Sequence, residues 1–271
     1  MSVLPGNGRQ KAAGGLRSLT LRLRILSLLA TFVAVPAKAD AQGGPPLVTD
    51  DPGTPGAGRW ELNVAVTAEQ DTRESIYQVP LIDLNYGVGD RIQLKVELPF
   101  QIVAPAELPT LSGLGNTLLG VKWRFHEGPA LAISTYPQLE FNNPTSSVAR
   151  GVAEAGKRLF LPLELTRSWH DFGINVEAGY QMVEDAEDGW SYGLAAGYRF
   201  HKLDLLGECT TSSTRDFTAT GVLCSLGGRY GVSKILTALV AIGHRVAGSN
   251  TQQPSLRAYV GLQWRWLASI Q

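Results

Sequence analysis

Leu256 to Trp266 reads L-R-A-Y-V-G-L-Q-W-R-W. Leu256, Ala258, Val260, Leu262, Trp264 and Trp266 alternate with Arg257, Tyr259, Gly261, Gln263 and Arg265, a period of two that places each set on one face of a β-strand. One face is apolar and ends in indoles, and the other is polar. The same ending recurs upstream. Trp123-Arg124-Phe125, Tyr198-Arg199-Phe200 and Gly228-Arg229-Tyr230 each close an alternating run. Aromatics on an apolar face beside an arginine on a polar face, repeated at strand ends, suit a membrane barrel whose rings sit at the headgroup level while charges point into the lumen.

Alternation also explains a misleading average. Mean hydropathy is near zero and 18% of the residues are charged, values usual for a water-soluble chain. A transmembrane barrel averages to the same figures because its two faces cancel. The one continuous apolar run, Ile25 to Val35, is too short to span a bilayer as a helix. It follows Arg9, Lys11, Arg17, Arg22 and Arg24 and precedes two A-x-A sites, Ala37-Lys38-Ala39 and Ala39-Asp40-Ala41. That pattern predicts a secretory signal peptide over residues 1–39, with a short buried helix as the competing reading. Cleavage after Ala39 leaves 18 basic against 24 acidic residues, and this acidic balance argues against a nucleic-acid partner.

Residues 40–58 form a segment dense in Pro and Gly that can be neither a regular helix nor a central strand. From Arg59 to the end, residues 59–271 carry twelve strand candidates of about ten to thirteen residues, the length a tilted strand needs to cross a membrane. They are Arg59 to Glu69, Tyr77 to Tyr86, Arg91 to Val103, Leu114 to Phe125, Ala130 to Phe141 and Arg158 to Trp169. Phe172 to Met182, Trp190 to Phe200, Leu203 to Ser212, Ala219 to Tyr230, Lys234 to Val246 and Leu256 to Trp266 complete the set. Short links such as Gly87 to Asp90, His170-Asp171 and His201-Lys202 alternate with longer ones, of which Asn142 to Lys157 is the longest. The expectation is an all-β, up-and-down antiparallel barrel in the outer membrane, with tight periplasmic turns and both termini on the periplasmic side.

Several runs resemble a known family. L-V-T-D-D-P-G-T-P-G-A-G-R-W-E-L from Leu47, P-L-I-D-L-N-Y-G from Pro80 and S-G-L-G-N-T-L-L-G-V-K-W-R-F from Ser112 are similar to the outer-membrane proteins grouped under the phenol-degradation meta-pathway name, a group labelled as transporters. S-T-Y-P-Q-L from Ser134 and N-V-E-A-G-Y from Asn175 fit the same resemblance. It implies a barrel that passes small hydrophobic or aromatic compounds, and it brings no binding residues with it.

The polar face is where function is expected. The alternation points Glu61, Asp83, Lys95, Glu97, Lys122, Arg124, Glu140, Glu164, Glu177, Arg199, Arg229, Arg257 and Arg265 inward. Two readings stand: the charges pair with one another and fill a narrow barrel, or they line a water-filled path and set its selectivity. Arg124, Arg199, Arg229 and Arg265 fall at similar height and form a basic arc at the periplasmic mouth. Asp50 and Asp51 are expected either to dock on this arc as a partial plug or to remain solvated turn residues.

Cys209 and Cys224 lie symmetrically about one hairpin loop and face each other across it. In an exported chain they form a disulfide or remain as two small apolar thiols. Catalysis is not expected. His126, His170 and His201 sit in inferred periplasmic turns, and His244 has no nearer serine than Ser249 in the following loop. No cofactor motif and no metal-ligand spacing is present. Glu184, Asp185, Glu187 and Asp188 make an acidic external loop, read as solvated or as a bridge through calcium to lipopolysaccharide. Expected partners are outer-membrane lipids and lipopolysaccharide, the barrel-assembly machinery and a small-molecule solute. A closed barrel with a structural or envelope-interaction role is the alternative to a channel.

Overall fold

The computed structural model describes residues 43–129, 131–218, 220–248 and 253–268. The expected signal peptide, residues 40–42, Ser249, and the first residues of two expected strands, Ala130 and Ala219, lie outside them. Fourteen strands follow in order: β1 (Arg59–Gln70), β2 (Glu74–Val88), β3 (Ile92–Pro105), β4 (Leu111–Leu114), β5 (Thr117–Glu127), β6 (Leu131–Thr135) and β7 (Gln138–Phe141). The second half is β8 (Lys157–Trp169), β9 (Phe172–Val183), β10 (Gly189–Phe200), β11 (Leu203–Thr214), β12 (Thr220–Gly231), β13 (Leu236–Ala247) and β14 (Leu256–Leu267).

These strands build twelve staves. Both β4 and β5 pair antiparallel with β3, so they are two halves of one stave; β6 and β7 both pair with β5 and β8 and form another. Consecutive staves pair as an up-and-down meander, and β1 pairs with β14 along its whole length, from Arg59 opposite Leu267 to Gln70 opposite Leu256. That last pairing closes the barrel and removes both sheet edges. Among the described residues there is no helix.

The two interruptions have local causes. Pro137 has no N–H to give a ladder, and Tyr136 before it is fully buried on the inner face, where its ring fills the space over Gly120. The break between β4 and β5 falls at Gly115-Asn116, where the Gly115 N–H donates to the Pro99 carbonyl at 3.0 Å. Pro80 similarly sits at a register shift of the β2–β3 pair between Gln78 and Leu81. β1 runs to Gln70 and β2 begins at Glu74, so the expected long link before Tyr77 is corrected to the short turn Asp71 to Arg73. At the opposite rim His170 and His201 take φ of 54° and 58° in two-residue turns.

Alternation sorts the side chains as anticipated. Leu226 is 73% exposed and Val121 49% on the outer face, whereas Glu164 at 0% and Asn63 at 1% are enclosed on the inner face. An apolar exterior this continuous around a polar interior fits hydrocarbon surroundings and would be penalised in water. Aromatic side chains cluster near both rims. Trp60 lies 4.5 Å from Tyr86 and 6.4 Å from Trp266 by ring centroid, and Trp169 stacks on Phe172 at 6.3 Å. At the other rim Trp190 lies 4.8 Å from Tyr180 and 6.4 Å from Phe217.

Cys209 and Cys224 are register partners on β11 and β12 and their sulfurs are bonded. The bridge lies on the outer face, next to Leu194 on one side and His244 on the other. Two outcomes are expected. Maleimide labelling of the denatured, unreduced chain leaves both cysteines unmodified; reaction of both would contradict the bridge. Val96→Arg on the outer face lowers the unfolding free energy in vesicles by about 2–4 kcal/mol, the cost of a cation near the bilayer midplane, and an unchanged stability would place that face elsewhere.

Candidate functional site

The interior is occupied by the chain's own N-terminal segment. Residues 43–58 cannot join the sheet, because Pro and Gly deny them a ladder, and they turn back on themselves instead. Gly44 N donates to Thr49 O at 2.9 Å and Leu47 N to Gly44 O at 3.0 Å. Leu47 packs against Ala195 of β10 and Leu206 of β11, a small apolar patch on the inner wall. Room for the backbone comes from missing side chains. A Cβ on Gly193 would lie 2.4 Å from Thr49 Oγ1, and one on Gly87 only 1.9 Å from Gly56 O.

Wall carboxylates hold the segment by its backbone N–H groups. The Glu208 carboxylate accepts from Val48 N at 3.1 and 3.0 Å and from Thr49 N at 2.8 Å, and Glu177 Oε2 accepts from Asp50 N at 3.2 Å. The Asp50 carboxylate points at Lys122 of β5, with Oδ1 3.0 Å from Nζ. Lys122 Nζ also donates to the Asp51 carbonyl, lies 3.5 Å from Glu164 Oε2, and stands 4.5 Å from the Tyr136 ring centroid. Ser134 Oγ donates to the same Glu164 oxygen at 2.5 Å. Arg229 anchors the start of the segment, donating to the carbonyls of Pro45 and Gly44, each at 2.8 Å, and of Gly43. Asp51 is buried and its carboxylate accepts from Gly53 N at 2.6 Å; burial pushes its carboxyl above the usual range, against the pull of Lys122.

The segment docks inside the barrel, but the basic arc does not receive it as a whole. Three of the four arginines are engaged by near neighbours: Arg124 with Asp90 O at 2.7 Å and Glu127 at 3.1 Å, Arg199 with Asp204 at 2.8 Å, and Arg265 with Glu61 at 2.7 Å. Among the described residues Arg229 of that set meets the segment, by hydrogen bonds to three carbonyls and electrostatically with Asp51. Asp50 meets a lysine instead.

The remaining inward candidates fall into separate groups. Lys95 bridges Asp83 at 3.5 Å and Glu97 at 2.9 Å. Asp83 accepts from Asn63 at 3.1 Å and Asn85 at 2.8 Å, and Gln93 links Asn85 at 2.7 Å to the Tyr136 hydroxyl at 3.1 Å. Glu140 pairs with Arg158 at 3.4 Å, and Arg257 with Glu69 at 2.7 Å. Between the segment and this wall lies a polar cavity of about 270 Å³ lined by Trp60, Asn85, Gln93, Lys95, Tyr136 and Gln263 among others.

The longest connection, residues 142–156, narrows the other end. Ser147 and Val152 are buried, packed with Arg150 over Gly113 on the inner face of β4, and Asn143 Nδ2 donates to Gly115 O at 2.7 Å. In the acidic loop Asp188 accepts from the Tyr180 hydroxyl at 2.9 Å and from Val183 N at 3.1 Å. Among the described residues no three His, Cys, Asp or Glu side chains converge as a metal site. His244 lies on the outer face of β13.

Glu208 and Tyr136 are functional-site residues that the sequence reading passed over. Glu208 was readable by parity, since Asp204, Leu206, Glu208 and Thr210 share one face of β11. Tyr136 stood at a break before Pro137, where alternation carries no signal.

No family model matches the sequence, and no curated protein matches it. Among solved structures, the COG4313 outer membrane channel from Pseudomonas putida F1 aligns over 83% of this chain and 100% of its own, with TM-score 0.66 and 13% identity. The NanC porin aligns over 75% and 98% with TM-score 0.54 and 9% identity, and the KdgM porin over 74% and 98% with TM-score 0.52 and 10% identity. The fold is that of outer-membrane barrel channels. At these identities the likeness speaks for architecture alone.

Because Lys122 is enclosed between two carboxylates, its removal leaves charges uncompensated. Lys122→Met is expected to cost about 3–5 kcal/mol of unfolding free energy, measured by denaturant titration in vesicles. Adding Glu164→Gln recovers part of the loss; a neutral single substitution would show that the pair does not hold the segment.

Proposed function

We propose that this protein is an outer-membrane channel for small solutes whose lumen is occupied, from the periplasmic side, by its own N-terminal segment. The observation that carries the reading is the set of contacts on residues 48–50, two wall carboxylates on backbone N–H groups and Lys122 on the Asp50 carboxylate. A segment held by hydrogen bonds and one ion pair, with a single small apolar contact at Leu47, is released at lower cost than one locked by a hydrophobic core.

On this reading a signal peptide directs export, the barrel-assembly machinery inserts the chain, and the apolar exterior meets membrane lipid with lipopolysaccharide at the external rim. Transport is passive, and no step requires a catalytic group or cofactor. The likeness to solved channels supports the assignment through architecture, and the family resemblance of the sequence adds hydrophobic or aromatic compounds as solutes. Tyr136 and Tyr259, on the inner wall, are rings such a solute would meet. The second reading is a closed barrel with an envelope role, favoured by the density of inward contacts from both the N-terminal segment and residues 142–156.

Planar-bilayer recording separates the two. Asp50→Lys places like charge against Lys122 and should raise the open probability and conductance of the full chain. Silence of both the native chain and the variant, with heat-modifiable folding intact, would sink the channel reading and leave the closed barrel.

A further inference from the structure

The segment that fills the lumen also describes what the lumen would accept in its place. Asp50 presents two groups to the wall at once: its N–H donates to Glu177 Oε2 at 3.2 Å, and its carboxylate lies 3.0 Å from Lys122 Nζ. Val48 and Thr49 add two more N–H donors, both on Glu208. When the segment withdraws, Glu177 and Glu208 lose three donors together and Lys122 loses one of its two carboxylates. The vacated wall then needs positive N–H donors at one end and an anion at the other.

We infer that this wall is a binding site for a small zwitterion, an amino acid or short peptide whose ammonium takes the place of the Asp50 N–H on Glu177 and whose carboxylate takes the place of that of Asp50 on Lys122. An ammonium supplies three N–H donors and a full charge, so it satisfies the buried Glu177 carboxylate better than a neutral amide does. The atoms N, Cα, Cβ and carboxylate of Asp50 form the skeleton of β-alanine, which sets the spacing between the two ends. Glu164 keeps its own partner, Lys122 at 3.5 Å, and does not compete for the ammonium. Tyr136 stands beside Lys122 on the same wall, where a ring or methylene group of the ligand would lie. This inference adds a zwitterionic solute class to the hydrophobic or aromatic one of the proposed channel and rests on withdrawal of the segment.

The test uses the full chain carrying Thr49→Pro, which removes one N–H from Glu208, and Asp50→Ala, which removes one of the two carboxylates on Lys122. Binding of β-alanine, propionate and propylammonium is measured by calorimetry in micelles, and block of single-channel current by the same three probes in bilayers. β-Alanine is expected to bind about tenfold more tightly than either single-charge analogue, the value of one added charge-assisted contact. Glu177→Gln or Lys122→Met should bring it level with them. Equal binding of the three probes, within about twofold, overturns the inference. If the charge variants fail to fold, the three-probe ranking on the Thr49→Pro and Asp50→Ala chain decides alone, and the native chain should give the same ranking at weaker affinity. A β-alanine preference without any ion current would sink the channel and keep the site; current without the preference would do the reverse.

Discussion

No strand edge can be left open in hydrocarbon, because each unpaired N–H and C=O there costs several kcal/mol. The pairing of β1 with β14 meets that constraint, and the rest of the molecule depends on it. Once the sheet is closed, period-two alternation has only two destinations, lipid and lumen. The apolar set is pressed outward without any hydrophobic core to hold it. The polar set is confined to a narrow interior, where charges must find partners or water. The prolines at 80, 99 and 137 sit at register shifts or breaks, where the ladder already lacks a bond.

Confinement of charge explains the docked segment. Glu164, Glu177 and Glu208 stand along one side of the lumen, and Lys122 is the cation that reaches this group from β5. Backbone N–H groups of a Pro- and Gly-rich stretch are free to serve as donors because that stretch forms no strand. The segment thus supplies donors to the carboxylates and a carboxylate to the lysine, while Gly193 and Gly87 leave room for its backbone. Local arginine pairs follow from the same confinement. Arg199 with Asp204 and Arg265 with Glu61 are cross-strand neighbours, the first within the β10–β11 hairpin and the second across the β1–β14 closure.

How much of this was legible depends on what carries the information. Strand count, closure and facing were written in alternation and turn chemistry, as in L-R-A-Y-V-G-L-Q-W-R-W and in His170-Asp171. The stave broken at Tyr136-Pro137 was legible only as one strand, because that pair lies within a run that alternates on both sides; β4, ahead of Gly115-Asn116, fell almost wholly in a stretch expected to be a link. The partner of Asp50 was not legible. Four arginines at one height suggested a basic arc, yet which cation is left for the segment depends on cross-strand register, which fixes who is already paired. Register also hid Glu208: its role needs a segment some 160 residues away in sequence to lie against β11.

The docked segment is the claim on which the account of the lumen stands. Hydrogen–deuterium exchange of the folded, full-length protein in lipid measures it most directly, through the amides of Val48, Thr49 and Asp50. Held by Glu208 and Glu177, these amides should exchange far more slowly than the same sequence in the unfolded chain, and Glu208→Gln should speed Val48 and Thr49 selectively. Exchange at the unfolded rate in the native protein would place the segment outside the barrel and contradict the account.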